Sequence, residues 1–344
     1  MTGLSILSAG MVTGVGLNAP ATCAAIRCGI NSFRETRFMD KGGEWIMGSE
    51  VPLEQPWRGM EKLARLAASA IRECLDGLQE PAGRIPLFLC VAEKDRPGRF
   101  NGLESELMER VQSELNMRFN EKSAVIPLGR IAGAVALDRT SKLFQQERLE
   151  YCLIAGVDTY LTATTLSAFE EKDRLLTSKN SNGFIPGEAG AAVLIGVPHS
   201  ELGESGVRCL GIGFGHEKAI IRSEEPLRAN GLVQAINSAL ADSKLSMGDL
   251  DYRITDANGE QYGFKEASLA LTRILRQRKE EFDIWHPVDC IGEVGAAIVP
   301  SVLSIALAAA RKGYSLGEKV LCHFGNDSGE RAALILSQSG GGGA

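Results

Sequence analysis

The sequence has no run of about 18 apolar residues that could span a bilayer; its longest apolar stretch, 294–310, contains Pro300 and serines and is expected to be a core helix. It has no basic excess either. The 37 Lys and Arg against 43 Asp and Glu give a net charge of −6, which argues against the clustered positive surface that nucleic acid or an anionic membrane requires. The densest basic group, Arg273, Arg276, Arg278 and Lys279, runs at once into Glu280 and Glu281 and is read as a solvated helix face. Histidine is scarce, and His199, His216 and His323 lack metal-ligand spacing. The eight cysteines include no CxxC pair and sit mostly among apolar neighbours, as buried free thiols in a reducing cytoplasm would. The opening MTGLSILSAGMVTG lacks a basic region and a cleavage motif, so no signal peptide is expected and a cytoplasmic location is. There is no P-loop, and the glycines of GIGFG at 211–215 are too short a pattern for a dinucleotide fingerprint. No cofactor or metal is expected.

What is present is the profile of an α/β protein: 44% apolar residues, 23% charged residues and 39 glycines, in a chain long enough for two domains. Short apolar runs of strand length, 4–10, 85–92, 123–129, 151–158 and 191–197, alternate with helical stretches such as 60–78 and 103–118. Strands that are apolar throughout are expected where helices cover both sheet faces. The second half repeats the plan, with strands at 207–215, 250–259, 319–325 and 332–338 and helices at 228–243, 263–281 and 294–312. The paired openings GLSILSAG and GVRCLGIG, and the paired closings AGAAVLIG and ERAALILS, point to an internal duplication. The expected organisation is 1–200 as one half, 205–338 as the other and 339–344, SGGGGA, as a flexible tail.

Five segments, in order, resemble the thiolase superfamily and within it the β-ketoacyl-carrier-protein synthases. They are the opening at 11–38, GFIPGEAGAAVLI at 183–195, LDYRITDANGEQYGFKEASL at 250–269, VDCIGEVGAA at 288–297 and HFGNDSGERAAL at 323–334. The second is the most specific. The resemblance implies two similar αβ halves with mixed sheets, packed in five layers, α-β-α-β-α. It also implies a chemistry that uses a cysteine thiolate to hold an acyl chain and two histidines to assist decarboxylation and steady an oxyanion.

None of the three implied positions holds its expected residue. Counting back from the AGV strand places the nucleophile in LGRIAGAVAL at 128–137, about Gly129, Arg130 or Ile131; between 124 and 139 there is no Cys, Ser or Thr. Arg130 is read as a surface residue at a turn, with the alternative that it fills the mouth of the former pocket. Asn258 stands for the first histidine and Glu293 for the second; Val288 and Asp289 replace the lysine and serine of that motif, and Asn326, Asp327 and Ser328 replace a phenylalanine–glycine turn. Glu266 matches a structural glutamate. Losing one member of a cooperating catalytic set costs orders of magnitude in rate, and here none is retained. Of other constellations, His286 and Cys290 are the nearest to a base–nucleophile pair, weakened by the intervening Pro287, and Asp256, Asp289 and Glu293 form a possible acidic cluster.

The sequence therefore points to a non-catalytic ketosynthase-like protein, a structural partner or adaptor. It is expected to form a homodimer or a heterodimer with a thiolase-fold protein through SAVIPLG at 123–129, and an acyl-carrier protein or a type VI secretion effector is a possible further partner. The alternatives are an acyl-thioester enzyme of altered chemistry, with Glu293 as base and Asn258 as oxyanion donor, and a module that binds an acyl group or its carrier without turnover.

Overall fold

The computed structural model describes residues 3–197 and 206–338. The expected tail at 339–344 and His199 lie outside the described residues. Twelve strands and nine α-helices are described. The first half contains β1 (Leu4–Thr13), α1 (Ala19–Arg27), β2 (Arg34–Met39), β3 (Trp45–Gly48), α2 (Gly59–Cys74), β4 (Leu87–Cys90), α3 (Leu107–Leu115), β5 (Ala124–Ile126), α4 (Ala132–Gln146), β6 (Tyr151–Thr159), α5 (Ala163–Glu170) and β7 (Glu188–Gly196). The second contains β8 (Val207–His216), α6 (Asn230–Ser243), β9 (Tyr252–Thr255), α7 (Gln261–Ile274), β10 (Ile284–Trp285), α8 (Val288–Ile291), α9 (Ile298–Arg311), β11 (Lys319–Gly325) and β12 (Glu330–Gln338).

The two halves share one topology. In the first, the strand order is β1-β7-β6-β4-β5, and in the second it is β8-β12-β11-β9-β10. The first two pairings of each are antiparallel and the last two parallel. The halves join where Leu4–Ile6 of β1 pairs antiparallel with Val207–Cys209 of β8, so that hydrogen bonding runs through ten strands. A separate hairpin, β2-β3, stands outside this sheet.

Layering follows from which faces are apolar. The inner faces of both five-stranded halves share one core with α4 and α9, whose Leu137, Val299, Leu303 and Ala306 are fully buried. The helix α9 is apolar on almost every side, as a helix enclosed between the two five-stranded halves of the sheet must be. Its buried Ser301 and Ser304 donate to the carbonyls of Ala297 and Pro300, and Pro300 falls in its first turn, where no hydrogen bond is lost. Outside the first sheet lie α2 and α3 with their own core, including Leu66, Ile71 and Leu107. Outside the second lie α6 and α7, around Leu232, Ile236 and Ala270.

The expected helix at 263–281 ends at Ile274, so Arg276 and Arg278 sit on an exposed connection rather than on a helix face. Only Arg273 remains helical, donating to Asn230 Oδ1 at 2.7 Å. Among the described residues no helix is long and apolar enough to cross a membrane.

Candidate functional site

Downstream of β5 the chain makes a single 3-10 turn, Gly129–Ile131, that leads into α4. Gly129 has φ +53°, a left-handed conformation that favours glycine, and a Cβ there would fall 2.1 Å from Glu93 Oε2, so any other residue would have to displace that carboxylate. Ile131 turns into the core. Arg130 alone of the three reaches across the loops. It is not the surface residue expected from the sequence: its side chain is 14% exposed, with Nη2 2.6 Å from Asp327 Oδ1, Nη1 3.3 Å from Glu293 Oε2 and Nε 4.0 Å from Asp256 Oδ2. Three carboxylates from three segments converge on one guanidinium, which is how a buried charge is tolerated.

Glu293 follows α8 and is 1% exposed. Its Oε2 accepts from Asn258 Nδ2 at 2.8 Å as well as from Arg130, and its Oε1 accepts from the Gly295 amide at 3.0 Å. Its backbone is pinned by the GFIPGE segment: Glu293 N donates to Ile185 O at 2.8 Å, and Gly187 N donates to Glu293 O at 3.0 Å. A Cβ on Gly187 would lie 2.4 Å from Ile291 O. The most specific motif of the sequence thus serves to seat this carboxylate. Arg130, Asn258 and Glu293, the positions where the resemblance places catalytic groups, are brought together in one hydrogen-bonded set.

A second arginine extends the network. Arg174 grips Glu260 through Nε and Nη2 at 2.7 and 2.6 Å and also pairs with Asp327. Burial alone would raise the Asp327 pKa, but Arg130 and Arg174 outweigh it and hold the carboxyl well below the usual range. Burial raises the Asp256 pKa despite Arg130, and Asp256 Oδ2 accepts from the Gly325 amide at 2.9 Å. Nearby, Arg331 binds Glu266 at 2.9 Å, giving the structural glutamate its partner, and Arg96 holds Asp158 and Glu93. Sequence reasoning missed Arg174, Glu260 and Arg96: both arginines end runs of charged residues, Glu170–Asp173 and Glu93–Asp95, that read as solvated surface.

The space left between these groups is about 50 Å³, room for a few waters but not for an acyl chain. No cysteine or serine lines it. Thr255 Oγ1 lies 3.2 Å from His323 Nδ1, both buried; burial lowers the His323 pKa to about 3, so the ring is neutral.

Asp289 does not join the cluster. Its side chain is 56% exposed and lies 2.7 Å from His286 Nδ1, so the grouping of Asp256, Asp289 and Glu293 is broken at that member. That contact raises the His286 pKa, and burial followed by the Asp289 charge raises the Cys290 thiol, the reverse of activation. Among the described residues no group of three His, Cys, Asp or Glu is arranged to hold a metal ion.

No protein-family model and no curated relative matches the sequence. Solved structures match over nearly the whole chain. A ketosynthase in complex with its chain length factor from Xenorhabdus doucetiae is 14% identical with a TM-score of 0.78, covering 98% of each chain. The ishigamide ketosynthase/chain length factor is 16% identical with a TM-score of 0.81, covering 98% of this chain and 100% of that one. A beta-ketoacyl synthase from Burkholderia phymatum is 14% identical with a TM-score of 0.73, again over 98% and 100%. At these identities the likeness establishes the fold, a thiolase-like ketosynthase fold, and leaves activity to the site.

Proposed function

We propose that this protein is a non-catalytic ketosynthase-like chain that acts in the cytoplasm as the structural partner of another thiolase-fold protein. The observation that carries the reading is the closed set formed by Arg130, Asn258 and Glu293. Each Glu293 oxygen already accepts a hydrogen bond, and Asn258 spends its amide on that carboxylate. The two groups are engaged with each other, and Glu293 also with Arg130 and with the Gly295 amide, which counts against the altered-chemistry alternative. With about 50 Å³ left, the acyl-binding alternative lacks a chamber at this place. Support for a partner role comes from the matched solved structures that are ketosynthases with chain length factors, and from one described with its acyl-carrier protein.

The surface for such pairing is the outer edge of β5, the last strand of the first half. Its backbone amides and carbonyls on that side are unpaired within the ladder, and Ala124 and Val125 are only partly buried. Two such edges meeting about a two-fold axis would continue the sheet across the interface. Light scattering of the pure protein, alone and mixed with thiolase-fold chains encoded beside it, tests this: a dimer is expected, lost in Val125→Pro, which removes an amide from the edge. A monomer under every mixture contradicts it.

A further inference from the structure

A second cavity lies away from the Arg130 cluster and shares no residue with it. It measures about 520 Å³, within the range of small-molecule sites, and opens between α1, β10 and α9. Its deep side is aliphatic, with Ile254 and Ile305 buried at 0% and 3% exposure. One wall is aromatic: Trp285 sits 4.7 Å from Tyr252 and 6.3 Å from Tyr314, nearly parallel to the latter at 28°. The charged groups that line it are Arg27, His286 and Asp289.

These three are not equivalent. Asp289 is already engaged by His286 at 2.7 Å. Arg27 has its guanidinium 4.4 Å over the Tyr314 ring, and among the described residues no carboxylate lies within ion-pair distance of it. A guanidinium held over a ring keeps N–H donors free to bind a carboxylate. An exposed cation without an anion among the described residues therefore stands at the rim of an apolar, aromatic-walled cavity.

We propose that this cavity binds a small amphipathic monoanion, a carboxylic acid whose aryl or medium-chain aliphatic body fills the Ile254–Ile305–Trp285 side while its carboxylate meets Arg27. The assignment does not depend on how the Arg130 cluster is read.

The test uses the full chain with octanoate as ligand, octylamine as the charge-reversed control and 8-anilinonaphthalene-1-sulfonate as fluorescent probe. The probe is expected to bind saturably at one site and to be displaced by octanoate but not by octylamine. Arg27→Gln is expected to weaken octanoate by about tenfold or more, the loss of one charge-assisted contact. Ile284→Trp, which fills the cavity from its half-buried edge, is expected to abolish binding, while Trp45→Ala, on the distant hairpin, leaves it unchanged. A second reading needs no folded variant: Cys290 lines the cavity, and octanoate is expected to slow its modification by a thiol reagent, read by peptide mass. Displacement by octylamine as readily as by octanoate, indifference to Arg27→Gln, or unprotected Cys290 would each overturn the proposal.

Discussion

Arg130 is the residue on which the site turns, and its partners explain why the sequence did not reveal it. Glu293 and Asp327 stand 163 and 197 residues further along the chain, so nothing local marks the position as an ion-pair centre. The absence of a nucleophile at 128–137 was legible because it needs no partner to be read. Replacing Arg130 with alanine leaves Glu293 and Asp256 buried without their counter-charge, and such a break costs about 3–5 kcal/mol. Urea unfolding is expected to show that loss, while Lys142→Ala, whose pair with Asp138 is largely exposed, stays within about 0.5 kcal/mol. His323 offers a test with a sign. Its folded pKa of about 3 lies below the ordinary 6.5 of an unfolded histidine, so the unfolded chain binds the extra proton between those values. Folding is therefore weakened as pH falls from 6.5 towards 3, by about 1.4 kcal/mol per pH unit. In His323→Asn this contribution is absent, and the stability difference from wild type is expected to shrink with acidification along that slope; a pH-independent difference would show that the ring is not held neutral.

At the scale of elements, the glycines of β8 have a packing role. Gly211, Gly213 and Gly215 alternate along one face, and a Cβ on each would fall 2.0–2.2 Å from a carbonyl of α6 or its first turn. The pattern GIGFG is thus the footprint of a helix lying directly on a strand. Gly213→Ala is expected to lower stability by about 1–3 kcal/mol through overpacking, read as a lower urea midpoint with an unchanged slope. The strands with continuous apolar runs were readable in the sequence because both faces are covered. Less was readable where tertiary contacts override local preference. The stretch RQRKEE has strong helix formers, yet α7 stops at Ile274 because the chain must turn back for Arg253 N to bond Asp283 O and for β10 to pair with β9. The hairpin β2-β3 escaped notice because its short strands expose one face and lie outside the main sheet.

At the scale of the whole molecule, repetition of strand order in two halves places the inner helices α4 and α9 side by side and aims the turn before α4, the loop after β9 and the segment after α8 at one point. In a catalyst such convergence positions a nucleophile and its helpers. Here it positions a guanidinium and its carboxylates, and on the reading proposed above the same architecture serves cohesion. If Arg130, Asn258 and Glu293 are held only for cohesion, this point carries no acyl chemistry, and intact-mass spectrometry of the pure protein after incubation with acyl and malonyl thioesters tests that. Unchanged mass, with no carbon dioxide or free thiol released, is the predicted result; a covalent acyl adduct, or thioester turnover abolished by Glu293→Ala or Asn258→Ala, would contradict it.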